Sequence, residues 1–286
     1  MLGLIATIVR GGALVSVFSL MLAQGMDTSL SQLRFFQYRP LLLLRSLFVT
    51  LFLVPLIALL VVALIRPERS VAVALAILAV CPAAPLLIMR SPRSGGNPAY
   101  SASLHVIMAA FSIVTTPVLL AILARALHFQ AVVHPLPIAK QVAVTLLLPV
   151  LLGVLFGAKW PELAGRIRRP LVMTAGAVLG VIIVLILVRT ISFLAQLDVR
   201  AYAAIILMIV LALALGHWLA PPHPEDRIIL ALETAARHPG LALLIASLNF
   251  PGENALAVVI PYLILFFVLS TIYTWLPGVR QRDSTG

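Results

Sequence analysis

The sequence contains few charged residues, and acidic residues are the scarcest of them. Only 10% of the 286 residues are charged, with 9 Asp and Glu against 20 Lys and Arg, whereas 62% are hydrophobic. Soluble domains average about 25% charged and about 45–50% apolar residues. The composition therefore excludes an ordinary soluble domain and indicates an integral membrane protein.

The chain also lacks a disulfide partner and recognisable catalytic motifs. Cys81 is the only cysteine, so an intrachain disulfide is excluded. The apolar runs contain no H-E-x-x-H, G-x-S-x-G or paired catalytic carboxylates, which argues against an enzyme, and nothing indicates a metal or another cofactor. The net charge of +11 does not indicate nucleic-acid binding, because most Arg residues lie between apolar runs, where membrane topology places them.

Nine apolar runs have about the length of 20 residues that a helix needs to cross a bilayer. They lie near residues 4–26, 40–65, 70–90, 98–125, 138–159, 169–195, 200–220, 227–249 and 253–277. All are expected to be helices, because lipid offers no partner to an unpaired backbone group. The connections are short, so we expect a single membrane domain over residues 1–286, with a four-span half at 1–126 and a five-span half at 138–280.

Lys and Arg are distributed unevenly between alternating loops. The richer set comprises Arg34, Arg39, Arg90, Arg93, Lys159, Arg166, Arg168, Arg169, Arg227, Arg280 and Arg282. Loops rich in Lys and Arg remain in the cytoplasm. We therefore expect a multi-pass protein of the plasma (inner) membrane, with its N-terminus outside and its C-terminus in the cytoplasm.

Two spans contain prolines near their centres. The third span has Pro82 and Pro85 in "AILAVCPAAPLLIM", and the eighth has Pro239 followed by Gly240. A proline lacks the N–H of a helical hydrogen bond and clashes with the carbonyl four residues before it. We expect both helices to break at these prolines, although a plain kink is the alternative for each span taken singly.

The breaks would leave the carbonyls of Leu78, Cys81 and Ala235 without helical partners. Such groups are tolerated at membrane depth only against protein or a water-filled cavity. Each broken span is the second from the C-terminal end of its half. Interrupted helices at corresponding positions of two halves indicate the central binding site of a transporter.

Four sequence patterns occur in order along most of the chain. They are "QGMDTSLSQLRFFQYRP", "VCPAAP", "SGGNPAYS" and "ETAARHPGLAL". They resemble, respectively, the end of the first conserved helix, the Cys-Pro-Gly-Gly break, the Gly-Asn turn and the second break of the bile acid:sodium symporter family. The chain looks like a divergent, bacterial-type member with nine spans.

The resemblance implies an all-α polytopic membrane fold of about nine transmembrane helices. It implies two inverted repeats, two crossing broken helices, and separate core and panel domains. It also implies secondary transport of an organic anion across the lipid bilayer, typically with sodium bound where the broken helices cross.

Several residues depart from the family's pattern where sodium ligands are expected. The Gly-Gly of the first break is Ala83-Ala84, and the Ser-Asn that follows it aligns with Leu87 and Ile88. These side chains offer sodium no oxygen, so sodium binding is doubtful.

The polar positions of the family's pattern are partly kept. Ser101 and Glu233 match a hydroxyl and the conserved acid, whereas His105 replaces a second hydroxyl and Thr50 replaces a Gln. These residues are candidates for binding the substrate or an ion. Hydroxyls on apolar spans, such as Thr50 and Thr116, also commonly bond back along their own helix.

Arg237 and His238 stand where the family has a Gln-Asn pair. Glu233 and Arg237 are four residues apart, so on one helix they share a face and can pair. An ionisable group at the bilayer centre costs about 2.5–3.5 kcal/mol or more, which favours a functional role over a structural ion pair. We expect Arg237 to replace sodium as the positive charge and to attract an anionic substrate.

His105 and His238 introduce a second possibility, because imidazole changes its charge near neutral pH. Proton coupling would then replace sodium coupling, with facilitated diffusion as a close variant and a hydrogen-bonded core histidine as the alternative for His238. The sequence thus predicts a sodium-independent carrier for a small or amphipathic organic anion. Two alternatives stay open: a sodium-coupled symporter with altered ion sites, and a non-transporting receptor or scaffold with the same fold.

Overall fold

The computed structural model describes residues 2–83, 96–129, 134–250, 254–276 and 279. Within these ranges the chain forms helices and no strand. The principal helices are α1 (Leu2–Asp27), α2 (Pro40–Ile65), α3 (Arg69–Val80), α4 (Pro98–Ala126), α5 (Pro135–Lys159), α6 (Pro161–Gln196), α7 (Val199–Leu219), α8 (Pro224–Ala235), α9 (Pro239–Asn249) and α10 (Ala255–Trp275).

Seven helical stretches among the described residues are long and apolar enough to cross a membrane. They are α2, α4, α5, α6, α7, the pair α8 and α9, and α10, and α3 is a shorter apolar helix. Each lies at an apolar run predicted from the sequence, and α1 lies at the first run. The predicted all-α polytopic membrane fold is therefore confirmed.

Two of the long helices contain a π-helical segment that ends two residues before a proline. These segments are Phe48–Leu53 in α2, ahead of Pro55, and Ala143–Leu147 in α5, ahead of Pro149. A proline clashes with the carbonyl four residues earlier, and a π segment changes the backbone pairing at that point. The helices thus continue through these prolines and do not break.

Helices α1, α5 and α6 pack against one another as a three-helix group. The contact between α1 and α5 depends on Gly25 and Gly153: a Cβ on Gly153 would lie 2.2 Å from the carbonyl oxygen of Leu22 and 2.8 Å from the Cα of Gly25. Gly157 follows Gly153 by one turn, and a Cβ there would lie 2.8 Å from the carbonyl oxygen of Met26. Small residues four apart let membrane helices approach at backbone distance.

The remaining helices form a second group around the broken helices. α3 packs against α2, α4, α9 and α10, while α7 packs against α2, α8 and α10. The most apolar window of Pro224–Asn249 is buried throughout, whereas only 22% of the corresponding window of α6 is buried. The broken stretch of α8 and α9 thus occupies the protein interior, and α6 lies at the periphery, where lipid is expected.

Candidate binding site

The first break follows α3. The helix ends at Val80, and Cys81 is extended with φ −74° and ψ 136°, so Pro82 and Ala83 lie outside the helix. The carbonyl of Leu78 accepts a hydrogen bond from the Cys81 N–H at 3.2 Å, in place of the one that Pro82 cannot donate. The helix thus ends before Pro82, as expected, while Ala84, Pro85, Leu87 and Ile88 lie outside the described residues.

The second break separates α8 from α9. Ala236 is extended with φ −71° and ψ 136°, and α9 begins at Pro239 with the His238 Nδ1 accepting a hydrogen bond from the Leu241 N–H at 3.3 Å. A Cβ on Gly240 would lie 2.2 Å from a methyl carbon of Val17 on α1. Gly240 therefore allows the three-helix group to approach the break closely.

The two breaks contact each other directly. The His238 N–H donates to the carbonyl of Pro82 at 2.9 Å, and the Arg237 guanidinium donates to the carbonyl of Cys81 at 3.0 Å. Backbone groups that the prolines release in one broken helix are thus paired by the other. The predicted crossing of two broken helices is present.

A polar cluster lies one turn before the second break. The Ser101 hydroxyl donates to Glu233 Oε1 at 2.8 Å, and His105 Nδ1 lies 3.1 Å from the same oxygen. His105 Nδ1 also lies 3.0 Å from the carbonyl oxygen of Ser101. Because both neighbours of this nitrogen are acceptors, it carries a hydrogen. The three side chains are buried, so the structure brings these predicted site residues together.

Glu233 and Arg237 do not form the ion pair that their spacing on a continuous helix would allow. Helix α8 ends at Ala235, so the two residues do not share a helix face. Arg237 instead donates to the carbonyls of Cys81 and Thr234. The geometric argument failed because Pro239 ends the helix before the spacing of four residues is completed.

Arg237 is 2% exposed and has no carboxylate within 4 Å in the described part of the chain. Its Nε has no hydrogen-bond partner among the described groups, and neither has His238 Nε2. Because His238 Nδ1 accepts a hydrogen bond, the neutral imidazole carries its hydrogen on Nε2. The second break therefore presents two buried N–H donors that have no partner among the described residues.

Thr50 does not contact the Glu233 cluster. Its hydroxyl donates to the carbonyl of Ser46 at 2.6 Å and lies 3.2 Å from the sulfur of Met108 on α4. It bonds back along its own helix, which is the common behaviour of hydroxyls on apolar spans.

Two further side chains donate hydrogen bonds to backbone carbonyls at the breaks, and neither was predicted to do so. The Tyr262 hydroxyl, on α10, donates to the carbonyl of Ala235 at 2.7 Å, and the Thr116 hydroxyl, on α4, donates to the carbonyl of Val80 at 2.9 Å. A tyrosine inside an apolar span needs a hydrogen-bond partner. That requirement was the available signal for Tyr262, but the sequence does not identify the partner.

Thr116 offers a test of how far the first break depends on side chains from other helices. We expect Thr116→Val to lower the free energy of unfolding by about 1–3 kcal/mol, because the buried Val80 carbonyl loses its partner. The adjacent Thr115 donates to the carbonyl of Phe111 on its own helix at 3.1 Å and is only partly buried, so Thr115→Val is the matched control. Thermal unfolding in detergent measures both, and equal stability of the two variants would contradict the assignment.

Comparison with known protein families shows which family the chain belongs to. The model of the Sodium Bile acid symporter family matches residues 14–197, more than half of the chain, which includes the first break and the helix of Ser101 and His105. A search of curated proteins gives no match. The chain therefore belongs to the Sodium Bile acid symporter family and is a multi-pass, symporter-like membrane transporter.

Proposed function

We propose that this protein is a secondary transporter of small or amphipathic organic anions and that it works without bound sodium. The proposal rests on one observation: Arg237 is a buried guanidinium at the helix crossing, without a carboxylate within 4 Å in the described residues. A buried charge that lacks a counter-ion costs several kcal/mol. An anion at the break would remove that cost, so the site favours an anionic ligand.

The hydrogen-bond donors at the break fit the same kind of ligand. Arg237 Nε and His238 Nε2 are donors without a partner among the described residues, and a carboxylate or sulfonate is the kind of group that accepts from such donors. The N-terminus of α9 lies at the same break, and a helix N-terminus attracts negative charge. A cation, an imidazole and a helix N-terminus therefore support anion binding at one place.

The same features argue against a sodium ion at this position. Sodium binds oxygen ligands, and the second break presents nitrogen donors from Arg237 and His238. The nearby acid, Glu233, is already in contact with Ser101 and His105. We therefore infer that Arg237 supplies the positive charge that a bound sodium supplies elsewhere in the family.

The first test is the melting temperature of the purified protein in NaCl and in choline chloride, with and without pooled organic anions. A ligand that binds only the folded state raises stability, by about 2.7 kcal/mol at one hundred times its Kd. We expect the anions to raise the melting temperature and sodium to leave it unchanged. Arg237→Gln should weaken anion binding about 10- to 100-fold, because a charged hydrogen-bond donor is lost.

Arg189→Gln is the matched control, since Arg189 is an exposed cation on α6. If Arg237→Gln binds anions as well as the original protein does, the proposal fails. If that variant becomes stabilised by sodium, Arg237 indeed takes the place of the ion. Stabilisation of the original protein by sodium would show that the ion still binds and would favour sodium symport as the mechanism.

We also propose that transport is coupled to protons through Glu233 and His105. The two side chains are in contact at 3.1 Å and buried, so a proton bound at either one changes the charge of the pair. Histidine is the side chain most often used to carry a proton near neutral pH, which makes His105 the candidate proton carrier of this pair. Ser101 supports the arrangement by donating to the same carboxylate oxygen.

Proton coupling predicts that a pH gradient drives uptake of an anion identified by the melting experiment. In proteoliposomes, a His105→Ala variant should lose accumulation driven by the gradient but keep exchange of the anion, because His238 and Arg237 at the proposed anion site are unchanged. His134→Gln, on an exposed loop, is the control. Uptake that does not respond to the gradient would leave facilitated diffusion as the mechanism. Gradient-driven uptake in the His105→Ala variant would show that His105 does not carry the coupled proton.

The packing supports a division into two related halves, 1–126 and 138–280. Helices that correspond in this division lie side by side: α1 with α6, α2 with α7, and α3 with α9. We propose that the halves are inverted repeats, that the three-helix group is the panel domain, and that the helices around the breaks are the core domain. Movement between two such groups is the expected way to expose a central site alternately.

We propose that the loop after α1 and the turn between α5 and α6 face the cytoplasm of a plasma-membrane protein. The excess of Lys and Arg in these loops supports this orientation. In a Cys81→Ser background, a cysteine at exposed His134 should react with a membrane-impermeant maleimide added to intact cells, and one at exposed Ser31 should not. The reverse labelling pattern would invert the topology.

A further inference from the structure

A basic cluster surrounds the turn between α5 and α6. Lys159, Arg166, Arg168 and Arg169 contribute four positive charges within eleven residues, against the single acid Glu162. Only Arg168 is in an ion pair with a carboxylate in the described part of the chain, through Asp27. The cluster therefore carries a local excess of positive charge close to the membrane surface.

Two cavities open beside this turn and share Pro161 in their walls. One, of about 500 Å³, lies between the end of α1 and the start of α6 and is lined by Asp27, Thr28, Ser29, Ser31 and Arg168, among others. The other, of about 360 Å³, is lined by Lys159, Trp160, Glu162, Leu163 and Arg166 with Pro161. The turn thus combines concave surfaces, hydroxyl groups and cations.

The second cavity lies at the boundary between polar and apolar surface. Trp160 is 48% exposed, and the Lys159 ammonium lies 4.5 Å from the centroid of its ring. Leu163 and Leu155, on either side of the turn, are 48% and 65% exposed. Tryptophan and lysine at the end of a membrane helix mark the headgroup level, and exposed leucines below them mark the acyl-chain level.

We propose that this turn is a binding site for an anionic phospholipid. Lys159 and Arg166, which have no carboxylate within 4 Å among the described residues, bind the phosphate of the headgroup. The acyl chains lie against the exposed leucines, and the hydroxyl-lined cavity beside the turn accommodates the polar part of the headgroup. A free phosphate uses only the cations, whereas a lipid uses the cations and the apolar surface together.

Trp160 provides a local probe, because the chain contains only three tryptophans. The protein with Trp218→Phe and Trp275→Phe, reconstituted in phosphatidylcholine vesicles, retains Trp160 beside the proposed site. Brominated phosphatidylglycerol or brominated phosphatidylcholine is then added in steps, and quenching of Trp160 fluorescence gives the local lipid affinity. We expect phosphatidylglycerol to quench at a lower mole fraction than phosphatidylcholine.

The preference should depend on Lys159 and Arg166. Each basic side chain near an anionic surface strengthens binding about fivefold, so Lys159→Gln with Arg166→Gln should remove most of it. Arg66→Gln with Arg200→Gln removes the same charge from exposed positions at the opposite end of the helices and should retain the preference.

Three results would overturn the proposal. The first is equal quenching by the two brominated lipids, and the second is an unchanged preference after removal of Lys159 and Arg166. The third is loss of phosphatidylglycerol quenching in millimolar inorganic phosphate, which would assign the site to a soluble anion. Because the readout is lipid binding and not transport, none of these results bears on the proposed anion carrier.

Discussion

The pairing of backbone groups at the two helix breaks is the interaction on which the rest of the site depends. A bilayer offers no water to carbonyl and N–H groups that leave a helix, so each must find a partner within the protein. Here the carbonyl of Pro82 accepts from the backbone of His238, and that of Cys81 accepts from Arg237. Tyr262 and Thr116 supply the partners for Ala235 and Val80. Helices α3, α4, α8, α9 and α10 therefore meet at the breaks, because the prolines leave backbone groups there that need partners.

This convergence explains why ionisable residues are tolerated in the interior. Arg237 is held by two backbone carbonyls, and Glu233 accepts from Ser101 and contacts His105. The acid is thus satisfied by protein groups, while the guanidinium is only partly satisfied and has no anionic partner in the described residues. Because the acid has its partners and the guanidinium lacks an anionic one among these residues, the site suits a ligand that carries negative charge. This difference links the geometry of the breaks to the proposed transport of anions.

Much of the fold and part of the site followed from residue patterns. Run length and composition predicted the membrane helices. Proline chemistry predicted where both helices end and that the carbonyls of Leu78, Cys81 and Ala235 would need partners, but not that of Val80. The site was predicted less well. Glu233 and Arg237 were expected to share a face of one continuous helix, although the same proline that defines the break ends that helix at Ala235. A spacing rule holds only within one helix, whereas Ser101 and His105 come from a helix far away in the sequence.

By itself, the sequence determined which segments enter the bilayer and where two of them cannot remain helical. Both follow from local chemistry: the transfer of apolar side chains into lipid and the missing N–H of proline. Only the tertiary structure decided which groups meet at the breaks, because those partners belong to helices separated by up to 156 residues, as for Cys81 and Arg237. A buried donor needs an acceptor because of its chemistry, but the packing of the helices decides which acceptor it meets.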